Sequence, residues 1–301
     1  MQIYVVGATG YIGSAVCEAL KAHGHHVSGS ARSDEAARRL RQAGVEPVRS
    51  DITDSASLAA AAKNADGVVY TVQYNGQDGA QVEAAALRAL VDALAQTGKP
   101  LLYTSGVWLY GSTGDAAGDE NATQNPTPVV AHRPMLEGIV LDGVSKGVRS
   151  IIVRPGDVYG RGGGMPAMWV QSAKESGSAQ FVSSGSDSHW PVVHVDDLAA
   201  LYVLALEKAP AGAVYNANDE TAFTVREMAE AASRGAGRGG AVTAVPLAEA
   251  RKHYGAFADA LVLDSRVTSK RARTELGWGT RETTILDDLT SGSYVQQTPL
   301  P

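Results

Sequence analysis

The chain has 301 residues, 44% of them hydrophobic and 19% charged, a balance that fits one large or two modest globular domains. Its formal net charge of −6 gives no electrostatic case for nucleic acid or an anionic membrane as a partner. One cysteine, Cys17, rules out an internal disulfide and a CxxC metal site. The sequence starts directly in an apolar strand with no secretory leader, so a cytoplasmic location is expected.

Residues 2–6 (QIYVV) read as a buried strand, and 12–23 as the helix after a glycine turn. Next come a strand at 26–31, a helix at 34–43, a strand at 45–48, an alanine-rich helix after DITD, and a strand at 67–71. A helix over 79–97, a strand over 100–105, a helix over 128–146 and a strand over 150–154 continue the pattern. Short linkers and continuous apolar strands in such an alternation predict an α/β protein with a doubly wound, parallel-sheet Rossmann fold. After Pro155 the rhythm breaks. Residues 156–191 are rich in Gly and Ser, 192–216 resume strand, helix and strand, and helices are predicted at 224–234 and 247–253. The expected organisation is a dinucleotide-binding domain of 1–155 plus 192–217 and a smaller interleaved C-terminal substrate domain of 156–191 plus 218–290. Residues 291–301 read as a tail.

The glycines of GATGYIG are spaced GxxGxxG between a strand and a helix. Gly7 permits the tight turn, Gly10 lets the backbone approach a pyrophosphate, and Gly13 lets the helix pack closely. The helix N-terminus offers free N–H groups to phosphate. Thr9, Tyr11 and Ile12 within the motif, and Thr71 at the end of the fourth strand, join them as candidate cofactor contacts. The second strand ends at Ala31, with no acidic residue to hold both adenosine-ribose hydroxyls, and Arg32-Ser33 follow. A guanidinium beside a hydroxyl suits a 2′-phosphate, so NADP(H) rather than NAD is the expected cofactor. Asp51 and Ile52 in SDITD are placed to accept from an adenine amino group and to pack the ring, with Asp54 or Ser55 capping the next helix.

No metal site is expected. His25 and His26 alternate faces of a strand, and His189 and His194 lack a third ligand. Asp196-Asp197 opens a helix, where carboxylates meet the dipole and cap N–H groups.

Across nearly the whole chain the pieces GATGYIG, SDITD, YTSGVWLYG, RPGDVYGRGGG, VVHVDDLAALYVLALE, VYNANDETAFTVREMAE and SKRARTELGW occur in order. Together they resemble an extended or atypical short-chain dehydrogenase/reductase of the NAD-dependent epimerase/dehydratase family. The resemblance implies an NAD(P)-binding Rossmann domain with a C-terminal substrate domain. It also implies that Pro155-Gly156 and Val158-Tyr159 line the nicotinamide end and that HVDD supports the substrate side. Pro155 and Val158 thereby join the cofactor-binding candidates. The family's frequent dimer helices correspond to 79–97 and 128–146, so a homodimer is an expected partner, beside a small-molecule substrate.

The catalytic residues depart from the family pattern of Ser or Thr followed by Tyr-x-x-x-Lys, in which Lys lowers the Tyr pKa and holds the nicotinamide ribose. None of the 11 tyrosines has Lys four residues later. With Glu137 aligned to the family's acidic residue, Arg133 occupies the Lys position and Val129 the Tyr position. Counting back from Tyr110-Gly111 puts Gly106 at the serine position, leaving Thr104 and Ser105 as neighbouring hydroxyls. Arg133, a permanent cation, can hold a ribose hydroxyl but lends no proton. The proton-donor candidates are His132, Tyr110 and Tyr74, and the catalytic set read from the sequence is Ser105, Tyr110, His132 and Arg133.

The leading expectation is an NADP(H)-dependent oxidoreductase or epimerase-like enzyme using hydride transfer on a small carbonyl or alcohol compound, with a proton donor outside the Tyr-x-x-x-Lys pair. Its substrate is expected between Gln73-Tyr74-Asn75, Tyr110, His132 and the 156–191 insertion, with Trp108, Trp169 and Trp190 as candidate pocket walls. The rivals are a nucleotide-binding sensor or regulator without turnover, and a non-redox isomerase or lyase.

Overall fold

A computed structural model describes every residue except 75, 77, 222 and 296–301. Seven parallel strands form the main sheet: β1 (Gln2–Val6), β2 (His26–Ala31), β3 (Glu46–Arg49), β4 (Gly67–Tyr70), β5 (Pro100–Thr104), β6 (Arg149–Pro155) and, later in the chain, Ala213–Ala217. Between them run α1 (Tyr11–Ala22), α2 (Asp34–Gln42), α3 (Ser55–Lys63), α4 (Gly79–Leu94) and α5 (Arg133–Asp142). The remaining elements are β7 (Asp157–Tyr159), α6 (Pro166–Ser176), β8 (Ala179–Ser183), β9 (Val192–His194), α7 (Val195–Lys208), β10 (Ala213–Ala217), α8 (Val225–Gly235), β11 (Val242–Pro246), α9 (Leu247–Tyr254), α10 (Phe257–Ala260), α11 (Lys270–Leu276) and α12 (Ile285–Ser291).

The strand order is β10-β6-β5-β4-β1-β2-β3. The doubly wound Rossmann sheet expected from the sequence is therefore present, and its order reverses between β1 and β4, where open α/β sheets place ligands. Alternation along each strand divides the core. Ile3 and Val5 of β1 pack under α1 and α7, whereas Tyr4 and Val6 join the opposite core with α3 and α4. Cys17 lies in the first of these cores, and burial pushes its thiol up to about 12.

Two predicted helices are shorter than their apolar pattern. The long helix ends at Leu94, because Ala95 turns extended and Gln96 enters the left-handed region at φ 59°. The 128–146 helix is broken into a 3₁₀ turn at Pro128–Val130, α5 and a second turn at Gly143–Lys146. Pro134 lacks an amide hydrogen and is tolerated only in a first helical turn, which sets the start of α5 at Arg133.

Beyond Pro155 a separate apolar core gathers α6, β8, α8 and α12 around Trp169, Trp190 and Met228. A Thr224–Glu227 capping box starts α8, and β8 pairs with β11 in parallel. Ala272, Leu276 and Trp278 pack instead into the core beneath α1 and α7. Within residues 291–295, expected as tail, Tyr294 is buried: its hydroxyl donates to the Gly163 carbonyl at 2.6 Å and accepts from the Gly160 amide at 3.0 Å. Among the described residues no helix is long and apolar enough to cross a membrane.

Candidate functional site

The glycine turn follows from backbone sterics. Gly7 has φ 91°, a region that favours glycine, and its amide donates to Ser30 Oγ at 2.9 Å. A Cβ at Gly13 would lie 2.1 Å from the Gly7 carbonyl oxygen, so only glycine lets α1 meet the turn. The turn borders an open cavity of about 580 Å³ at the sheet's reversal point. Of the predicted cofactor residues, that cavity brings together Gly7, Thr9, Gly10, Arg32, Asp51, Ile52 and Thr71, with Gln73 and Tyr74 at its wall. Ser30 and Ser50, which no sequence signal singles out, also line it.

Other candidates stand outside its lining, for distinct reasons. The Tyr11 hydroxyl donates to the Gly160 carbonyl at 2.7 Å, and its ring packs so closely on Gly163 that a Cβ there would come within 2.6 Å. Ile12 packs on the core beneath α1. The Ser33 hydroxyl caps α2, accepting from the Ala36 amide at 3.2 Å. Pro155 ends β6 in register with Ala217, and Val158 packs on the α1 side core.

Arg32 is exposed and makes no hydrogen bond or ion pair among the described residues. Its charge adds to another effect at Asp51. The Thr53 amide and hydroxyl donate to Asp51 Oδ1 at 2.9 and 2.8 Å and hold the carboxyl below its ordinary range, with Arg32 and Arg49 acting in the same direction. Asp54 caps α3, accepting from the Ser57 amide at 3.2 Å.

At the ends of β4 and β5, Arg133 reaches back from the first turn of α5. Its Nη1 donates to the Thr104 carbonyl at 3.4 Å and its Nη2 to Gln73 Oε1 at 3.2 Å, while its buried Nε has no partner among the described residues. Beside it, the Ser105 amide donates to the Val153 carbonyl at 2.8 Å, and the buried Ser105 Oγ likewise has no partner among the described residues. Thr104 Oγ1 is engaged, at 2.7 Å from the Tyr70 carbonyl and 2.5 Å from the Tyr202 hydroxyl. His132 is half-buried just before Arg133; burial and that neighbouring cation hold its pKa below the ordinary value. Asn75 lies outside the described residues.

Tyr110 stands elsewhere. Its buried hydroxyl donates to Asn216 Oδ1 at 2.8 Å and accepts from Arg154 Nη1 at 2.6 Å. Arg154 in turn binds Glu137 through two bonds of 2.9 and 2.6 Å, an ion pair almost wholly removed from water. Tyr110 thus joins β6, α5 and β10 into one network, and its proton is already donated. The Asp196-Asp197 pair lies in the first turn of α7, where its charges meet the helix dipole as expected, but neither carboxylate caps that helix. His194 caps α7, accepting from the Asp196 amide at 3.2 Å, while Asp196 pairs with Arg161 and Asp197 accepts from the amides of Arg281 and Glu282.

Glu83 and Asp157 are buried carboxyls that no sequence signal singles out. Glu83 Oε1 accepts from the Tyr74 amide at 2.9 Å, anchoring a residue of the cavity wall, and burial pushes its pKa up. Asp157 lies in β7 with Trp108 Nε1 donating to Oδ2 at 3.3 Å.

The sequence profile of the NAD dependent epimerase/dehydratase family matches residues 3–217. The chain belongs to that family. An uncharacterized protein of Schizosaccharomyces pombe is 33% identical over 301 residues, spanning 98% of this chain and 100% of that one. The 4-hydroxy-2-methyl-3-oxo-4-farnesyl-3,4-dihydroquinoline-1-oxide ketoreductase of Stigmatella aurantiaca is 24% identical over 317 residues, spanning 96% and 89% of the two chains. Among solved structures, the UDP-glucose 4-epimerase of Thermus thermophilus in complex with NAD aligns with a TM-score of 0.82 at 20% identity. It covers 99% of this chain and 100% of that one, a likeness of fold.

Proposed function

We propose that the protein is an NADP(H)-dependent oxidoreductase, or an epimerase-like relative, acting on a small carbonyl or alcohol compound. The observation that carries this reading is the glycine-walled cavity running from Arg32 and Asp51 to Gln73 and Tyr74, with Arg133 bonded to Gln73. The cradle fits a dinucleotide, since a Cβ at Gly7 would lie 2.7 Å from Thr71 Oγ1 and fill the turn. NAD in the Thermus epimerase structure and the ketoreductase name of the Stigmatella relative support a nicotinamide cofactor and a carbonyl substrate.

In this reading Gly10 and Thr9 face the pyrophosphate, Asp51 and Ile52 hold the adenine, and Arg32 with Ser33 receives a 2′-phosphate. Arg133 stands for the family's lysine and binds a ribose hydroxyl. When bound, the nicotinamide supplies or accepts the hydride. Ser105 Oγ has no protein partner among the described residues but is buried, so this reading gives it no bond to the substrate. Tyr110 is removed from the donor candidates by its bonds to Asn216 and Arg154. His132 and Tyr74 remain. With its lowered pKa, His132 is mostly neutral near pH 7, so its ring N–H is the proton it offers.

A second reading, a dinucleotide-binding sensor, is favoured by Val129 at the family's tyrosine position and by the commitment of Tyr110. Absorbance at the nicotinamide band across aldehydes and ketones, together with product analysis of sugars for inverted stereocentres, separates the two, since an epimerase regenerates its cofactor and leaves no net absorbance change. Oxidation of NADPH with at least one carbonyl compound supports the enzyme; tight binding without turnover across the panel supports the sensor.

A further inference from the structure

Between β4 and α4 the wall of the dinucleotide cavity is tied to a buried acid. Glu83, Leu87, Leu90 and Leu94 follow the three-and-four spacing of one face of α4, and all four are buried. Glu83 therefore heads a leucine row at 2% exposure, a place where a carboxyl must replace its lost water with protein partners. Helical side chains lean toward the N-terminus of their helix. Glu83 accordingly reaches back past the start of α4 and accepts from the Tyr74 amide at 2.9 Å. The Arg133 guanidinium acts on the same carboxyl.

Arg133 also holds the preceding residue, its Nη2 donating to Gln73 Oε1 at 3.2 Å. Two successive residues of the wall are thus tied, Tyr74 through its backbone and Gln73 through its side chain. The fit around Tyr74 is close. A Cβ at Gly79 would lie 2.5 Å from the Tyr74 carbonyl oxygen, and one at Gly76 would run into the Tyr74 ring. At the other end of the segment, a Cβ on Gly7 would meet Thr71 Oγ1 at 2.7 Å and Val72 Cγ2 at 2.9 Å, so the wall abuts the glycine turn. Arg32 follows β2 and Gln73 follows β4, on opposite sides of the turn after β1, and both line the cavity.

We infer that Glu83 is a positioning residue: its bond to the Tyr74 amide sets the wall at Gln73 and Tyr74, and through Gln73 the place Arg133 takes for the nicotinamide-ribose half of the cofactor. Glu83 acts through Tyr74 and not on the ligand. The part concerning the nicotinamide half rests on the oxidoreductase reading; the tether of the wall stands without it.

The test reads two quantities in the whole protein: exchange of the Tyr74 amide by NMR, and the affinities of NADPH and adenosine 2′,5′-bisphosphate by calorimetric titration. The bisphosphate carries the Arg32 end of the cofactor without the nicotinamide, so a general loss of structure weakens both ligands and a displaced wall weakens NADPH alone. In wild type the Tyr74 amide should exchange at least about 100-fold more slowly than in the unfolded chain. Glu83→Met keeps the length and removes the acceptor. It should lose that protection and bind NADPH about tenfold more weakly, the size of one hydrogen bond, with the bisphosphate unchanged. Glu83→Gln keeps an acceptor and should bring both quantities to within about twofold of wild type. Gly79→Ala presses on the Tyr74 carbonyl while leaving Glu83 in place, should give the same split between the ligands, and carries the test where Glu83→Met does not fold. An unprotected Tyr74 amide in wild type, or NADPH affinity unchanged in whichever of Glu83→Met and Gly79→Ala folds, overturns the inference. Equal weakening of both ligands, or Glu83→Gln behaving as Glu83→Met, overturns it as well. Wild type that protects Tyr74 but takes neither ligand removes the oxidoreductase reading and leaves the tether.

Discussion

The indole of Trp108 donates to Oδ2 of Asp157 across 3.3 Å, tying the turn after β5 to the short strand after β6. Burial outweighs this bond and pushes the Asp157 carboxyl up to about 7. In the unfolded chain the same carboxyl titrates near its ordinary value of about 3.9. Between those values the folded protein retains a proton that the unfolded chain has lost, so stability falls as pH rises through that window.

Asp157→Asn removes that fall while keeping an acceptor for Trp108. Thermal or urea unfolding from pH 4 to pH 8 should show the variant gaining on wild type as pH rises, by up to about 4 kcal/mol at the alkaline end. Parallel stability curves for the two proteins would contradict the raised pKa.

The Arg154–Glu137 pair predicts a large loss of stability. Glu137→Gln leaves the Arg154 charge buried with a weakened partner and should cost about 3–5 kcal/mol in urea unfolding. A cost below about 1 kcal/mol would mean the pair is solvated.

Tyr110 and His132 should separate stability from turnover. Tyr110→Phe loses one buried hydroxyl network and should lower stability by about 1–2 kcal/mol with kcat close to wild type. His132→Ala should lower kcat by roughly 10²-fold or more if its ring N–H is the proton offered. The reverse pattern in steady-state kinetics would move the donor to Tyr110.

Gly13→Ala tests the cradle. Its Cβ would press on the Gly7 carbonyl from 2.1 Å, so the turn must shift. Stability should fall by about 1–3 kcal/mol, and NADPH affinity should fall with it. Unchanged affinity would disconnect the turn from the cofactor.

What was legible followed range along the chain. The alternation of Ile3, Tyr4, Val5 and Val6 and the spacing of Gly7, Gly10 and Gly13 are local patterns, and they carry the sheet and the turn. Arg133 is located through Glu137, four residues on along one helix, and it reaches the strand ends of Thr104 and Gln73. Tyr110 misleads because its environment is remote: Arg154 and Asn216 lie 44 and 106 residues away in sequence. Asp157 and Glu83 escape notice for the same reason, since burial is a property of the assembled fold. The break in the 128–146 helix is visible in Pro134, but the apolar pattern around it points the other way.

Cofactor choice is the most direct test, through titration of NADPH and NADH into wild type and Arg32→Ala. With Arg32 free to meet a 2′-phosphate, wild type should bind NADPH at least about tenfold more tightly than NADH. Arg32→Ala should erase that difference by weakening NADPH alone. Equal or tighter binding of NADH by wild type would contradict the account.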